Sequence, residues 1–218
     1  MSDALLPSRF LFRLSVPCRQ VQKLWTAQGA KLDETHRLPN FGELEGRAAW
    51  AEVRAGWNEE GLVFSVRVRG KKQPAWCRAS RPEDSDGVQF WIDTRDVHNV
   101  HRASRFCHRF LFMPSGGGKK VDVPHAAILP INRAREQPRP VADGALQVRA
   151  TITADGYTLD ALLPAAALTG FDPAEYPRLG FHYAVIDREL GEQTFGPGSP
   201  LPYDEDPSLW ATLELVRG

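Results

Sequence analysis

Apolar and polar side chains alternate strictly over short runs in this chain, and each run is bounded by Gly, Pro or Asp, a pattern that predicts β-strands. In residues 86–93 the alternation puts Val88, Phe90 and Ile92 on one side and Gln89, Trp91 and Asp93 on the other. A Trp is costly to leave on a solvated face, so the second side also calls for a cover or a ligand. Residues 60–69 alternate in the same way, with Leu62, Phe64, Val66 and Val68 inward and Ser65, Arg67 and Arg69 outward. The preceding run, 47–58, gives a strand and a turn, which completes a hairpin.

Further strands are predicted at 9–16, stopped by Pro17, and at 105–113, closed by Pro114 and the triple glycine Gly116 to Gly118. Others fall at 146–153, 157–163, 179–186 and 209–216, with the Ala154-Asp155-Gly156 turn joining two of them. Only 164–170 reads as helix, with Pro164 at its first position, Gly170 as its stop and two turns at most. Residues 20–40 show no firm period and read as an irregular edge segment with one helical turn. There is no βαβ rhythm. The expected fold is all-β: a two-sheet antiparallel β-sandwich, jelly-roll-like, with at most short helices. At 218 residues it is expected to form one domain, 1–218, with 1–46 partly irregular.

Composition narrows the partners. Lys plus Arg and Asp plus Glu balance at 27 each, so no global field draws nucleic acid or an anionic membrane, and neither is expected as a partner. A protein partner stays open. Cys18, Cys77 and Cys107 are odd in number and widely spaced, which excludes a complete disulfide framework and any CxxC pair; structural thiols are expected. The N-terminus lacks the basic start and unbroken apolar core of a signal peptide, and no apolar run elsewhere spans a bilayer, so the chain reads as soluble and unexported.

Several residues carry candidate chemistry. Trp76 lies in the loop between the predicted strands at 60–69 and 86–93, amid Lys71, Lys72, Gln73, Arg78 and Arg81, and is either a stacking surface or a loop anchor. Trp91, beside Gln89 and Arg109, is either a flat platform or a ring covered by the N-terminal segment. Trp50, Trp57 and Trp210 sit in or beside strands and read as packing. Arg102 and Arg105 are candidate hydroxyl or carboxylate binders on a loop rim. Asp84, Asp86, Asp93 and Asp96, with Glu83 nearby, offer the oxygen ligands a calcium ion takes, or form an acidic solvated turn. His98, His101, His108 and Cys107 match no standard zinc spacing and read as hydrogen-bonding residues. There is no GxSxG elbow, phosphate loop or HExxH motif.

The order of elements resembles the family 9 carbohydrate-binding modules and the related DOMON-like sandwiches. The resemblance rests on Gly61-Leu62-Val63-Phe64-Ser65-Val66, on Asp86-Gly87-Val88-Gln89-Phe90-Trp91-Ile92-Asp93 and on Gly156 to Pro164, followed by Leu179 to Asp187 and the closing Leu209 to Leu215. It covers about residues 50–215. It implies noncatalytic capture of a saccharide on aromatic rings, an extracellular setting and bound calcium. It places Trp76 where a sugar-facing aromatic is expected. A second such ring, commonly Trp, is implied in the loop before the last strand, where this chain has Phe195 and Tyr203. The DOMON-like alternative implies haem, for which Met113 with a histidine would be the axial pair. An enzyme is a third class, for which Asp93 and Asp96 are the nearest carboxylates, although neither is marked as an acid. A sandwich without a sugar site is also compatible with the pattern.

Overall fold

The alternation resolves into eleven strands in the computed structural model, which describes residues 11–199 and 201–217. They are β1 (Ser15–Gln20), β2 (Ala51–Asn58), β3 (Gly61–Arg69), β4 (Gly87–Asp93), β5 (Cys107–Gly117), β6 (Val123–Leu129), β7 (Gln147–Thr153), β8 (Gly156–Pro164), β9 (Arg178–Asp187), β10 (Gly191–Thr194) and β11 (Ala211–Val216). One layer runs β6-β5-β4-β9-β11, with β10 paired to β9, and the other runs β2-β3-β8-β7. Within each layer every ladder is antiparallel. The result is an all-β, sandwich-like fold.

The expected alternation determines what lies between the layers. Val88, Phe90 and Ile92 of β4 share a core with Leu62, Phe64, Val66 and Val68 of β3. Phe64 and Phe90 stack across the gap with ring centroids 4.1 Å apart, and Phe181 of β9 lies parallel to Phe64 at 5.8 Å. Burying each such ring stabilises the fold by about 1.5–3 kcal/mol. The β2–β3 and β7–β8 hairpins form as expected, the latter turning at Ala154 and Asp155.

β1 is the exception to antiparallel pairing. It runs parallel to β11 from Ser15 to Arg19 and parallel to β2 at Arg19 and Gln20, so it joins the two layers into one continuous sheet. Pro17 was expected to stop this strand; instead the strand runs through it. At Pro17 only β11 lies alongside, because β2 joins two residues later, so the missing N–H can face the side that has no partner. The strand begins at Ser15, and Arg9 and Phe10 of the expected run lie outside the described residues.

Other boundaries differ for physical reasons. β5 does not close at Pro114 but continues to Gly117 through a register shift between Met113 and Gly117, where a bulge absorbs the proline and glycines. The expected helix at 164–170 is only a 3-10 turn, Ala165–Ala167, because pairing with β3 extends β8 to Pro164 and leaves too few residues. β6 and β10 were not anticipated. The segment between β1 and β2 carries two 3-10 turns, Glu34–His36 and Phe41–Glu45. Its Leu24 packs on Val63 and Leu162, covering the outer side of β3 and β8. Among the described residues, no helix is long and apolar enough to cross a membrane.

Candidate functional site

The outer side of β4 and β5 is roofed by loops, and this roof decides which predicted site residues are free. The β3–β4 loop folds back so that Cys77 packs on Leu111 and Met113. Gly116 permits the close approach: its φ is +105°, and a Cβ there would lie 3.1 Å from that of Cys77. Burial raises the Cys77 thiol pKa, which marks it as packing, and all three cysteines are buried and free.

Beneath this loop lies a buried ionic cluster. The Lys71 ammonium contacts Asp187 and sits 3.2 Å from an Asp86 oxygen, and all three side chains are almost fully buried. Burial disfavours the ammonium, yet the two carboxylates more than offset it and hold the Lys71 pKa above its ordinary value. The second Asp86 oxygen accepts the Arg188 N–H at 2.9 Å, and the first also accepts the Trp76 N–H at 2.9 Å. Asp187 accepts the N–H groups of Glu189 and Leu190. Glu189 in turn accepts those of Lys72 and Gln73. The start of β4, the end of β9 and the loop after β3 are thereby fixed to one another.

Trp76 emerges from this base half-buried. The Arg188 guanidinium lies over its ring, 4.4 Å from the centroid, and that of Arg78 lies at 5.6 Å. Both arginines are exposed. The site is thus a half-buried indole with one guanidinium stacked over its ring and a second close by, built on the buried ionic cluster. Arg188 was not anticipated: it is remote in sequence, and its only local signal is its place in the acidic turn after β9.

The other predicted residues fall elsewhere. Trp91, Gln89 and Arg109 are adjacent, as the alternation implied, but they are covered. Trp91 is 0% exposed, lies edge-on to Tyr203 and packs with Trp210 and Ile131. It therefore presents no free platform, because the loop after β10 closes over it. Arg109 donates to Gln89 at 2.9 Å and pairs with Glu83 at 3.0 Å. Phe195 is 0% exposed, within the interlayer core. Tyr203 is buried, donates its hydroxyl to Glu192 and accepts the Trp210 indole N–H at 2.7 Å on its carbonyl. Burial and that carboxylate raise the Tyr203 pKa. Neither ring is open opposite Trp76. Arg102 and Arg105 are exposed, but their loop leaves β4 at Asp93, seven residues and roughly 20 Å from the Asp86 end. Arg102 donates to the Arg133 carbonyl, and Arg105 lies over Phe106. Trp57 and Trp210 are buried and Trp50 packs partly on the core.

The four aspartates do not converge on a cation. Asp86 is committed to Lys71, and Asp93 accepts the N–H groups of Arg95 and Val97, with its pKa raised by burial. Asp96 is taken up by Thr212, His98 and Arg178, and Asp84 ends an exposed 3-10 turn. Among the described residues, no group of three or more His, Cys, Asp or Glu side chains is placed to hold a metal. These residues do not fit calcium. His101 pairs with Asp206, and His108 accepts the Thr169 N–H. Met113 is 0% exposed against Cys77 and Leu111, so its thioether is packed rather than presented to a macrocycle.

The sequence matches no family model and no curated protein. Solved structures are more informative. A family 9 carbohydrate-binding module from Caldicellulosiruptor kristjanssonii, in complex with cellotriose, superposes with a TM-score of 0.62 at 12% identity, covering 94% of this chain and 95% of that one. A structure of such a module from the same organism in complex with glucose gives a TM-score of 0.63 at 11% identity, covering 94% and 97%. The fold of this chain is that of the family 9 carbohydrate-binding modules.

Proposed function

We propose that this protein is a noncatalytic carbohydrate-binding domain that captures a saccharide on Trp76. The reading rests on the half-buried Trp76 indole, whose backbone N–H is held by Asp86 and whose ring is flanked by guanidinium donors. A pyranose offers an apolar C–H face that matches an indole, while its hydroxyls need polar partners at the rim. The solved modules of this fold, bound to glucose and to cellotriose, support the same class of ligand. With one ring rather than a pair, binding is weak, with a Kd of about 1 mM to 1 μM, or about −4 to −8 kcal/mol.

The test is titration with glucose and cellotriose, followed by tryptophan fluorescence and calorimetry. Saturable binding is expected, and Trp76→Ala abolishes it while the thermal unfolding midpoint stays near that of the parent. Binding that survives in Trp76→Ala would move the site elsewhere. A flat titration across a broad glycan panel would remove the sugar reading and leave the fold.

A further inference from the structure

We infer that the Trp76 surface selects acidic saccharides, those carrying a uronate carboxylate, over neutral ones; this deepens the sugar-binding reading above and rests on it. The observation is the pair of guanidiniums at one ring. Arg188 and Arg78 both lie over Trp76, and among the described residues neither has a carboxylate within ion-pairing distance. Among the described residues, the Arg78 guanidinium donates to the neighbouring Cys77 carbonyl at 3.0 Å.

The acids nearest in the fold are already engaged. Asp86 and Asp187 are buried around Lys71 and hold backbone N–H groups, and Glu189 is turned to the Lys72 and Gln73 amides. The contrast with Arg109 is informative, because its guanidinium over Trp91 is paired with Glu83 at 3.0 Å. Where this fold uses an arginine to cover a buried indole, it gives the arginine a counter-ion. At Trp76 two guanidiniums are exposed with no counter-ion among the described residues. A planar fork of donors matches a carboxylate in two parallel hydrogen bonds, and such charged bonds are about twice as strong as those to neutral hydroxyls. A sugar seated on the indole with a carboxylate on its ring carbon would bring that group to the guanidinium rim. A neutral hexose offers only hydroxyls there.

The experiment is calorimetric titration of the full chain with glucose against glucuronate, and cellotriose against trigalacturonate, at low and at 0.5 M salt. The expected result is at least tenfold tighter binding of the acidic sugar at low salt, about 1.4 kcal/mol, with the preference shrinking at high salt. Arg188→Gln and, separately, Arg78→Gln should each reduce the preference severalfold. Arg67→Gln, an exposed arginine on the outer side of β3, should leave it intact if the effect is local rather than one of overall charge. Equal affinity for acidic and neutral sugars, or a preference for neutral ones, overturns the inference and leaves the sugar reading standing. A preference that Arg67→Gln reduces as much as Arg188→Gln also overturns it. If neither sugar class binds, the sugar reading falls and this inference falls with it.

Discussion

One Asp86 carboxylate oxygen accepts the Trp76 backbone N–H at 2.9 Å and also faces the Lys71 ammonium at 3.2 Å. The half-buried ring is thus tied through its backbone to a buried charge, and the site and the stability of the loop are coupled. Replacing Lys71 by Met would leave two buried carboxylates without their cation. Removing one member of a buried ion pair costs about 3–5 kcal/mol. Lys71→Met should therefore lower the urea unfolding midpoint by that equivalent. An unchanged midpoint would show that water reaches the cluster and that it is not structural.

Phe64 and Phe90 define the interlayer contact, at 4.1 Å between centroids. Truncating either to Ala should cost about 3–5 kcal/mol, and a double-mutant cycle should return a coupling of about 0.5–1.5 kcal/mol. Additive losses, with no coupling, would mean the stacking adds nothing beyond burial. Chemical denaturation of the four proteins supplies the measurement.

Gly61 starts β3 with φ +143°, and a Cβ there would fall 2.2 Å from the Leu163 carbonyl oxygen of β8. Gly61→Ala should destabilise the protein by about 2 kcal/mol or more, since both the backbone and the neighbouring strand must shift. A thermal melt within one degree of the parent would contradict this close approach.

His108 sets an acid limit. Burial lowers its pKa from 6.5 to about 4. Between those values the unfolded chain binds a proton that the folded chain refuses, so stability falls as pH drops from about 6.5 toward 4, by up to about 3 kcal/mol. Burial raises the pKa of Asp93 and Asp160, which contributes in the opposite sense as they protonate in the folded protein. The difference between parent and His108→Gln isolates the histidine. The variant should lose less stability on acidification, and parallel curves would refute the assignment.

Iodide should reach Trp76 more effectively than caesium does, because two guanidiniums attract the anion. Trp57, Trp91 and Trp210 are sealed, so quenching reports mainly on Trp76 with the half-buried Trp25 and Trp50. Trp76→Phe should reduce the iodide quenching constant by about half or more, with little change for caesium. Equal losses for both ions would mean the rim carries no useful positive potential.

The fold was legible wherever alternation was strong. β4 displayed both of its sides in seven residues, and β3 its core stripe. β10, Gly-Glu-Gln-Thr, is polar and exists only because β9 offers it an edge, so nothing local announced it. β6 opens on Val123-Pro124 and contains two alanines, which blurs the strand signal. Trp76 stood out as an aromatic residue in a charged loop. Its Arg188 partner did not, and nor did the Lys71–Asp187 pair, which lies 116 positions apart. That Trp91 needed a cover was legible, but the segment that supplies it was not, since a loop that roofs a strand leaves no period in that strand.

β1 is flanked by a strand from late in the sequence, β11, and by its neighbour β2, and among the described residues it is the one strand that connects the two layers. A chain emerging from the ribosome cannot complete that seam until β11 has been synthesised, so β1 must wait, unpaired along most of its length, while the hairpins behind it form. The join between the layers is accordingly the last part to be made during synthesis, and a ribosome stalled before residue 211 would display a protein with its halves still unfastened.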